Sequence, residues 1–317
     1  LAEAGHPVPD ERGLAASARL LELARGARGD DLVLFLVSGG GSALTAAPAP
    51  PVTLAEKQEV TRLLLAAGAT IGELNAVRKH LSQLKGGQLA RAAWPATTLT
   101  LALSDVIGDP LDVIASGPTA PDPTTFATAL EVLERRRVWV RTPASVLDRL
   151  EAGLKGEVEE TLKPGDRVFT RVTNLVIGNN ALITDAAVSA AERLGYRPHF
   201  LTRELQGEAR QVASELVERA RALEPPACLV AGGETTVTVK GRGKGGRCQE
   251  FALAAALGFR PSDDLTVLAA GTDGTDGPTD AAGAIVDGST VGRGKAAGAD
   301  PERALADNDA YAFLRAS

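Results

Sequence analysis

Three aspartates lie within the glycine-rich segment GTDGTDGPTD, residues 271–280, which follows an apolar run. They are Asp273, Asp276 and Asp280. Carboxylates separated by glycines can converge on a hard cation such as Mg²⁺, and a single carboxylate can accept the proton of a hydroxyl group. Asp-Gly is also an ordinary turn pair, so a plain turn explains the segment equally well. The acidic spacing differs from that of an EF-hand calcium loop.

A basic glycine loop lies upstream, in KGRGKGGRCQE, residues 240–250, directly before a predicted helix. Cations, flexible backbone and a helix N-terminus in one place predict a polyphosphate site around Lys244, Gly245 and Gly246. A solvated hairpin tip is the alternative. A basic loop together with an acidic loop supplies what phosphoryl transfer requires, namely charge neutralisation and metal placement. Neither loop matches a P-loop, a dinucleotide fingerprint or the protein-kinase motifs.

A third glycine loop ends the apolar run in LVLFLVSGGGSAL, residues 32–44. Leu32–Val37 has the length and composition of a strand buried on both faces, and the glycines after Ser38 would end it. Glycine lets several amide N–H groups point at one anion, although a tight turn remains the alternative. Polar groups also follow two other predicted strands, at Asp105 after Thr97–Leu103 and at Glu234 after the run from Cys228.

Basic side chains are concentrated in NAVRKHLSQLKGG, residues 75–87, within a predicted helix, IGELNAVRKHLSQLKGG, that ends at Gly86 and Gly87. Arg78, Lys79 and Lys85 are candidate ligands for a phosphate or a carboxylate, whereas His80 is more typical of a hydrogen-bonded helix residue. The preceding helix is expected to begin at Thr53, because Glu56 three residues later completes a capping-box pattern.

Strands alternate with helices along the whole chain, which predicts βαβ units and mostly parallel or mixed sheets. At 317 residues the chain is long enough for two domains. We predict two three-layer α/β/α domains over residues 1–165 and 171–317, separated where the pattern weakens. Ligands of such sheets bind outside the carboxyl ends of the strands, where every glycine-rich loop of this sequence falls.

Composition restricts the function classes. The net charge of −6 and the absence of a long basic block argue against nucleic acid as the main partner. No apolar run is long enough to span a bilayer and no signal peptide is visible, so we expect a soluble cytoplasmic protein. Cys228 and Cys248 lack metal-ligand spacing and are expected to be reduced thiols. Because the chain contains no methionine, we expect a missing upstream segment.

Eight motifs, in order along the chain, resemble the MOFRL-type glycerate kinases, which are sometimes labelled hydroxypyruvate reductases. They are AGHPVPDE, SGGGSAL, NAVRKHLSQLKGG, LSDVIGDP, SGPTAPDPTTF, GGETTV, GGRCQE and GTDGTDGPTDAAGA. The resemblance implies ATP-dependent phosphorylation of D-glycerate, usually on the 2-hydroxyl, with Mg²⁺. It also implies two α/β/α domains with the active site in the cleft between them, and a C-terminal MOFRL module over about residues 227–317.

The resemblance also implies roles for individual residues. Arg247 matches the family's proposed catalytic arginine and Asp273 its proposed catalytic aspartate, with Asp276 as the close competitor. One of these two aspartates would bind Mg²⁺ or accept the hydroxyl proton. Two family segments have no match here, an upstream GAGKA-like loop with the catalytic lysine and a C-terminal GPTGTN-like segment. Cys248 replaces the usual asparagine.

The expected substrate- or phosphate-binding set combines the glycine loops with the charged groups that accompany them. Its members are Ser38, Gly39, Gly40, Gly41, Ser42, Arg78, Lys79, Lys85, Asp105, Glu234, Lys244, Gly245 and Gly246. Two other functions stay open at this point: a nicotinamide-dependent hydroxypyruvate reductase, and a non-catalytic fragment that binds a nucleotide or a sugar acid. A homodimer is also left open.

Overall fold

Three apolar segments pair as parallel strands in the computed structural model, which describes residues 1–317. They are β1 (Leu32–Val37), β2 (Thr97–Leu103) and β3 (Val172–Gly178), with β2 in the centre. Leu34 lies opposite Leu99 in the register of β1 and β2. Because parallel strands end at the same edge of a sheet, the loops after β1 and β2 begin side by side. The sequence prediction of an α/β protein with parallel sheets is confirmed.

Seven helices accompany this sheet in the first half of the chain. They are α1 (Glu11–Gly26), α2 (Gly41–Leu44), α3 (Leu54–Ala66), α4 (Ile71–His80), α5 (Gln88–Ala93), α6 (Phe126–Arg135) and α7 (Ala144–Leu154). The capping box that the sequence predicts at Thr53 and Glu56 is present at the start of α3. The largest core cluster of this half is built by α3, α4, α6 and α7, with Leu64, Val77 and Leu133 at its centre.

The prediction that β1 is buried on both faces is wrong. Val33 and Phe35 pack on the core beneath α1 and α5, whereas Leu34 and Leu36 are 54% and 66% exposed. Burial therefore alternates along the strand with the period of two that the pleat imposes. The apolar residues of the second face made the sequence read as a strand with two buried faces.

Helix α4 ends at His80, before the predicted stop at Gly86 and Gly87. The amide of Gln83 donates to the carbonyl of Ala47, and that of Ala49 donates to the carbonyl of Leu81. These hydrogen bonds take the backbone groups that a longer helix would need. As a result Lys85 lies in a loop, not on the helix that carries Arg78 and Lys79.

The chain divides into two compact units, Leu1–Asn179 (unit 1) and Asn180–Ser317 (unit 2). The boundary differs from the predicted gap between residues 165 and 171, because β3 completes the sheet of unit 1 by pairing with β2. The sequence pattern predicts this strand in the second domain. Local patterns identify the strand, but only long-range pairing decides which sheet it joins.

Unit 2 contains a parallel pair of strands, β4 (Arg197–Leu205) and β5 (Ala227–Gly233), and an antiparallel pair, β6 (Thr266–Ala270) and β7 (Gly283–Asp287). Its helices are α8 (Asn180–Arg193), α9 (Ala209–Arg221), α10 (Arg247–Gly258), α11 (Thr290–Ala296), α12 (Pro301–Ala306) and α13 (Ala310–Ala316). Helix α10 is the centre of this unit, since Ala252, Leu253 and Ala255 are fully buried. No helix of the protein is both long and apolar enough to traverse a lipid bilayer.

One face of α3 is buried and the other is exposed, and this difference gives a prediction about stability. Leu64 is fully buried in the unit 1 core, and its neighbour Leu65 is 57% exposed. We expect Leu64→Ala to lower the free energy of unfolding by about 2 to 5 kcal/mol, because it removes buried methyl groups and leaves a cavity. The matched change Leu65→Ala should alter it by about 0.5 kcal/mol or less. Urea denaturation of both variants measures the difference, and equal losses would contradict the placement of this helix.

Candidate active site

The SGGGS loop of unit 1 turns sharply after β1. Gly40 has a φ of 78°, in the left-handed region that favours glycine. A Cβ on Gly39 would lie 2.5 Å from Oδ2 of Asp105, so the missing side chain lets the Asp105 carboxylate approach the loop. The SGGGS loop after β1 and Asp105 after β2, two of the strand-end features predicted from the sequence, therefore lie together. The amides of Gly39 and Gly40 donate to no acceptor in the chain.

Ser42 connects this loop to α4 through a chain of hydrogen bonds. Its Oγ lies 2.9 Å from Oγ of Ser116, which donates to Oδ1 of Asn75 at 3.1 Å. Ser116 and its neighbour Ala115 have φ angles of 64° and 50°, an uncommon conformation for residues with a Cβ. Lys85 also contacts the loop, since its Nζ donates to the carbonyl of Ser42 at 2.9 Å.

Lys79 forms two salt bridges inside unit 1. Its Nζ lies 3.1 Å from Oδ2 of Asp112 and 3.2 Å from Oδ1 of Asp122, and both Lys79 and Asp122 are buried. A cation with two carboxylate partners has little charge left for a ligand. The structure therefore supports a positioning role for Lys79, while its predicted role in phosphate binding stays untested.

The neighbouring His80 is likewise a structural residue. It is buried, with Nδ1 2.6 Å from the carbonyl of Ala76 and Nε2 2.7 Å from Oε1 of Glu160. This arrangement agrees with the prediction that His80 is a hydrogen-bonded helix residue.

Other cations of unit 1 have no carboxylate partner. Arg78 is half-buried and forms no ion pair. Lys57 lies on the buried side of α3, and its Nζ has no hydrogen-bond acceptor. Lys57 is not among the candidate residues predicted from the sequence, although a signal is present. It occupies the apolar stripe of α3 between Leu54 and Val60, where a solvated lysine is not expected.

In unit 2, Asp276 caps helix α10. Its Oδ1 accepts the amide N–H of Cys248 at 3.1 Å, and its Oδ2 accepts that of Gln249 at 2.8 Å. Asp276 is 3% exposed, and a Cβ on Gly246 would lie 2.3 Å from its carboxyl carbon. The glycine before α10 therefore admits this carboxylate. The negative charge also complements the positive end of the helix dipole.

Arg247 begins helix α10 and pairs with Glu234 at the end of β5. The distance from Nη1 to Oε1 is 3.1 Å, and both side chains are about half exposed. The ion pair orients the guanidinium without withdrawing it from solvent. Burial, followed by the negative charge of Asp276, raises the pKa of Cys248 to about 11, so this thiol stays protonated near neutral pH.

The basic loop 240–246 is less available to a phosphate than its sequence indicates. The amides of Lys240 and Gly241 donate to Oδ1 of Asn308, at 2.8 and 3.0 Å. The amide of Lys244 donates to Oδ1 of Asp309 at 2.9 Å. A Cβ on Gly241 would lie 2.2 Å from a backbone carbonyl, so close packing explains this glycine. Binding by Lys244, Gly245 and Gly246 stays a prediction.

Asp273 is the carboxylate of the acidic loop that remains free. It is exposed, and its Oδ1 accepts only the amide of Thr275, at 3.3 Å. No group of three or more His, Cys, Asp or Glu side chains in the protein could hold a metal ion. Mg²⁺ is typically bound by one or two carboxylates, with substrate phosphates and water as the other ligands. Asp273 fits that role, whereas both oxygens of Asp276 already accept backbone hydrogen bonds.

Comparison with known proteins covers both units. A family model described as a domain of unknown function, DUF4147, matches residues 1–151, and the MOFRL family model matches residues 227–317. Glycerate 2-kinase from Pyrococcus horikoshii is 46% identical over 99% of this chain and 72% of its own length. D-glycerate 2-kinase from Thermotoga maritima is 45% identical over 99% of this chain and 74% of its own length.

The chain belongs to the MOFRL-type glycerate kinase family. The fold agrees, because the crystal structure of glycerate kinase from Thermotoga maritima superposes with a TM-score of 0.87. That match covers 99% of this chain and 74% of the solved one. The resemblance based on the eight sequence motifs is thereby confirmed, whereas the roles of the individual site residues remain predictions.

The two aspartates of the acidic loop should respond differently to mutation. Asp276→Ala leaves the buried amide of Gln249 without an acceptor, and we expect it to lower the free energy of unfolding by about 2 kcal/mol or more. Asp273→Ala should change it by about 0.5 kcal/mol or less, since Asp273 is exposed. Thermal denaturation of the two variants checks the contrast. Equal stability of both variants would show that Asp276 does not hold α10 in place.

Proposed function

We propose that this protein transfers the γ-phosphoryl group of ATP to the 2-hydroxyl of D-glycerate, giving 2-phosphoglycerate and ADP. The observation that carries this proposal is the 45–46% identity to two glycerate 2-kinases over 99% of the chain. The geometry supports it, because each unit presents a charged group suited to the reaction. Unit 1 carries cations without counter-ions, and unit 2 carries Arg247 beside Glu234.

Arg247 would stabilise the phosphoryl group during transfer. Its guanidinium is exposed and fixed in direction by Glu234, so little reorganisation is needed when negative charge develops on the phosphoryl oxygens. Arginine suits this task because its planar group donates several hydrogen bonds to oxygen atoms in a fixed geometry. Asp276 contributes indirectly by capping the helix that Arg247 begins.

Asp273 would bind Mg²⁺ or accept the proton of the 2-hydroxyl. An exposed carboxylate with one weak backbone contact can serve either purpose. Mg²⁺, when bound, would neutralise part of the phosphate charge. Ser38–Ser42 and Arg78 of unit 1 would bind the anionic groups of the substrates. A cytoplasmic location and a homodimer stay predictions of the sequence.

A nicotinamide-dependent reductase is not favoured. The chain contains no dinucleotide fingerprint after a strand, and the curated relatives are named as kinases. A non-catalytic binding protein would bind the same ligands without turnover, and the activity assay below distinguishes it.

Activity should depend on Arg247 and Asp273 without a matching loss of stability. In protein expressed from the complete gene, we expect Arg247→Met and Asp273→Asn each to lower kcat by about 10²-fold or more, the scale of losing one preorganised charge. Coupled ADP release with D-glycerate measures the rate, and phosphorus NMR identifies the product.

The matched controls are Arg219→Met and Asp264→Asn, which remove exposed charges elsewhere in unit 2 and should leave kcat within twofold of wild type. Full activity of Arg247→Met would reject its role. Absence of turnover with D-glycerate, while another hydroxy acid reacts, would reject the substrate.

A further inference from the structure

Lys57 is a buried ammonium without a partner. The residue is 7% exposed, and its Nζ is fully buried with no acceptor in the chain. A charged group removed from water destabilises a protein unless other groups replace the hydration it loses. The free protein therefore maintains an unfavourable arrangement at this position.

The neighbouring charges that act on Lys57 are positive. Arg78 of α4 and Arg149 of α7 act on Lys57 as neighbouring positive charges, and Lys57 acts in the same way on Lys85. Lys85 and Arg149 donate to backbone carbonyls. None of the four forms an ion pair with a carboxylate, and we call them the cation cluster: Lys57, Arg78, Lys85 and Arg149.

Two carboxylates of unit 1, the buried Asp122 and the one-third exposed Glu160, pair with other residues. Asp122 binds Lys79, and Glu160 binds the imidazole of His80 at 2.7 Å. Burial, followed by the charges of Arg78 and Arg149, lowers the pKa of Lys57 to about 7. Burial also lowers the pKa of Lys85 well below its ordinary value. The cluster consequently lacks a negative charge that would hold its lysines protonated.

Lys85 connects this cluster to the SGGGS loop, because its Nζ donates to the carbonyl of Ser42. Arg78, which is only half-buried, provides the more accessible part of the cluster. The nearly complete burial of Lys57 favours a small anionic group over a triphosphate with its metal ion. Among the proposed substrates, the carboxylate of glycerate meets this requirement.

We propose that Lys57 and Arg78 form the subsite that binds the carboxylate of glycerate, with Lys85 positioning the SGGGS loop beside it. The inference rests on the proposed function for the identity of the ligand. The bound carboxylate is the counter-ion that the chain does not supply. Lys57 thus contributes to substrate binding, and the free protein is destabilised by leaving it unpaired.

The test measures binding without turnover, in protein expressed from the complete gene. Calorimetric titration with sodium D-glycerate, in the absence of ATP, should show at least tenfold weaker binding for Lys57→Met than for wild type. Titration with ATP should give affinities for wild type and Lys57→Met that lie within twofold of each other. Lys57→Met should also raise the Tm of the ligand-free protein, because methionine has a similar length and no charge. Arg78→Gln is the second variant and should weaken D-glycerate binding in the same way.

The control is Lys155→Met, which removes an exposed lysine of unit 1 and should alter neither affinity. Unchanged D-glycerate binding by folded Lys57→Met would overturn the subsite. A loss confined to ATP or to inorganic phosphate would overturn it as well, since the ligand would then be a phosphate. If D-glycerate binds through Lys57 but is not phosphorylated, the proposed function fails and the subsite stands. If wild type phosphorylates D-glycerate and Lys57→Met binds it normally, the subsite fails and the proposed function stands.

Discussion

Uncompensated positive charge is the constraint on which the account of unit 1 depends. Lys57 and Lys85 of the cation cluster are buried, Arg78 and Arg149 are half-buried, and none of the four has a carboxylate partner. By contrast, Lys79 on the same helix as Arg78 has two such partners. The fold can therefore neutralise a buried cation where stability requires it. Leaving the cluster unpaired preserves its attraction for an anionic substrate, at a cost in stability to the free protein.

Unit 2 holds the charge of Arg247 in a fixed direction and leaves it accessible to solvent. The carboxylate of Asp276 uses both oxygens to hold the first turn of α10. Arg247 begins that helix, and Glu234 fixes the direction of its guanidinium at the protein surface. Asp276 thus positions α10, whereas the carboxylate of Asp273 remains exposed. The two aspartates look equivalent in sequence and differ only because of what approaches them in space.

Local patterns were sufficient to predict the fold class, the start of α3 and the loops at the strand ends. They failed where a distant segment decides the outcome. Helix α4 ends at His80 because residues 47–49 take the backbone groups that follow it, and β3 joins unit 1 by pairing with β2. The glycines before α10 resembled a phosphate loop, yet Gly246 is needed for the approach of Asp276. Lys57 could have been found from its place in the apolar stripe of α3.

The most direct measurement of the central claim is the number of protons taken up when D-glycerate binds. It is obtained by calorimetry in two buffers of different ionisation enthalpy. Burial and the charges of Arg78 and Arg149 lower the pKa of Lys57 to about 7, and a carboxylate beside it would favour the protonated form. We expect net proton uptake at pH 8 that diminishes at pH 6 and is smaller in Lys57→Met than in wild type. Binding without proton uptake across this range would contradict it.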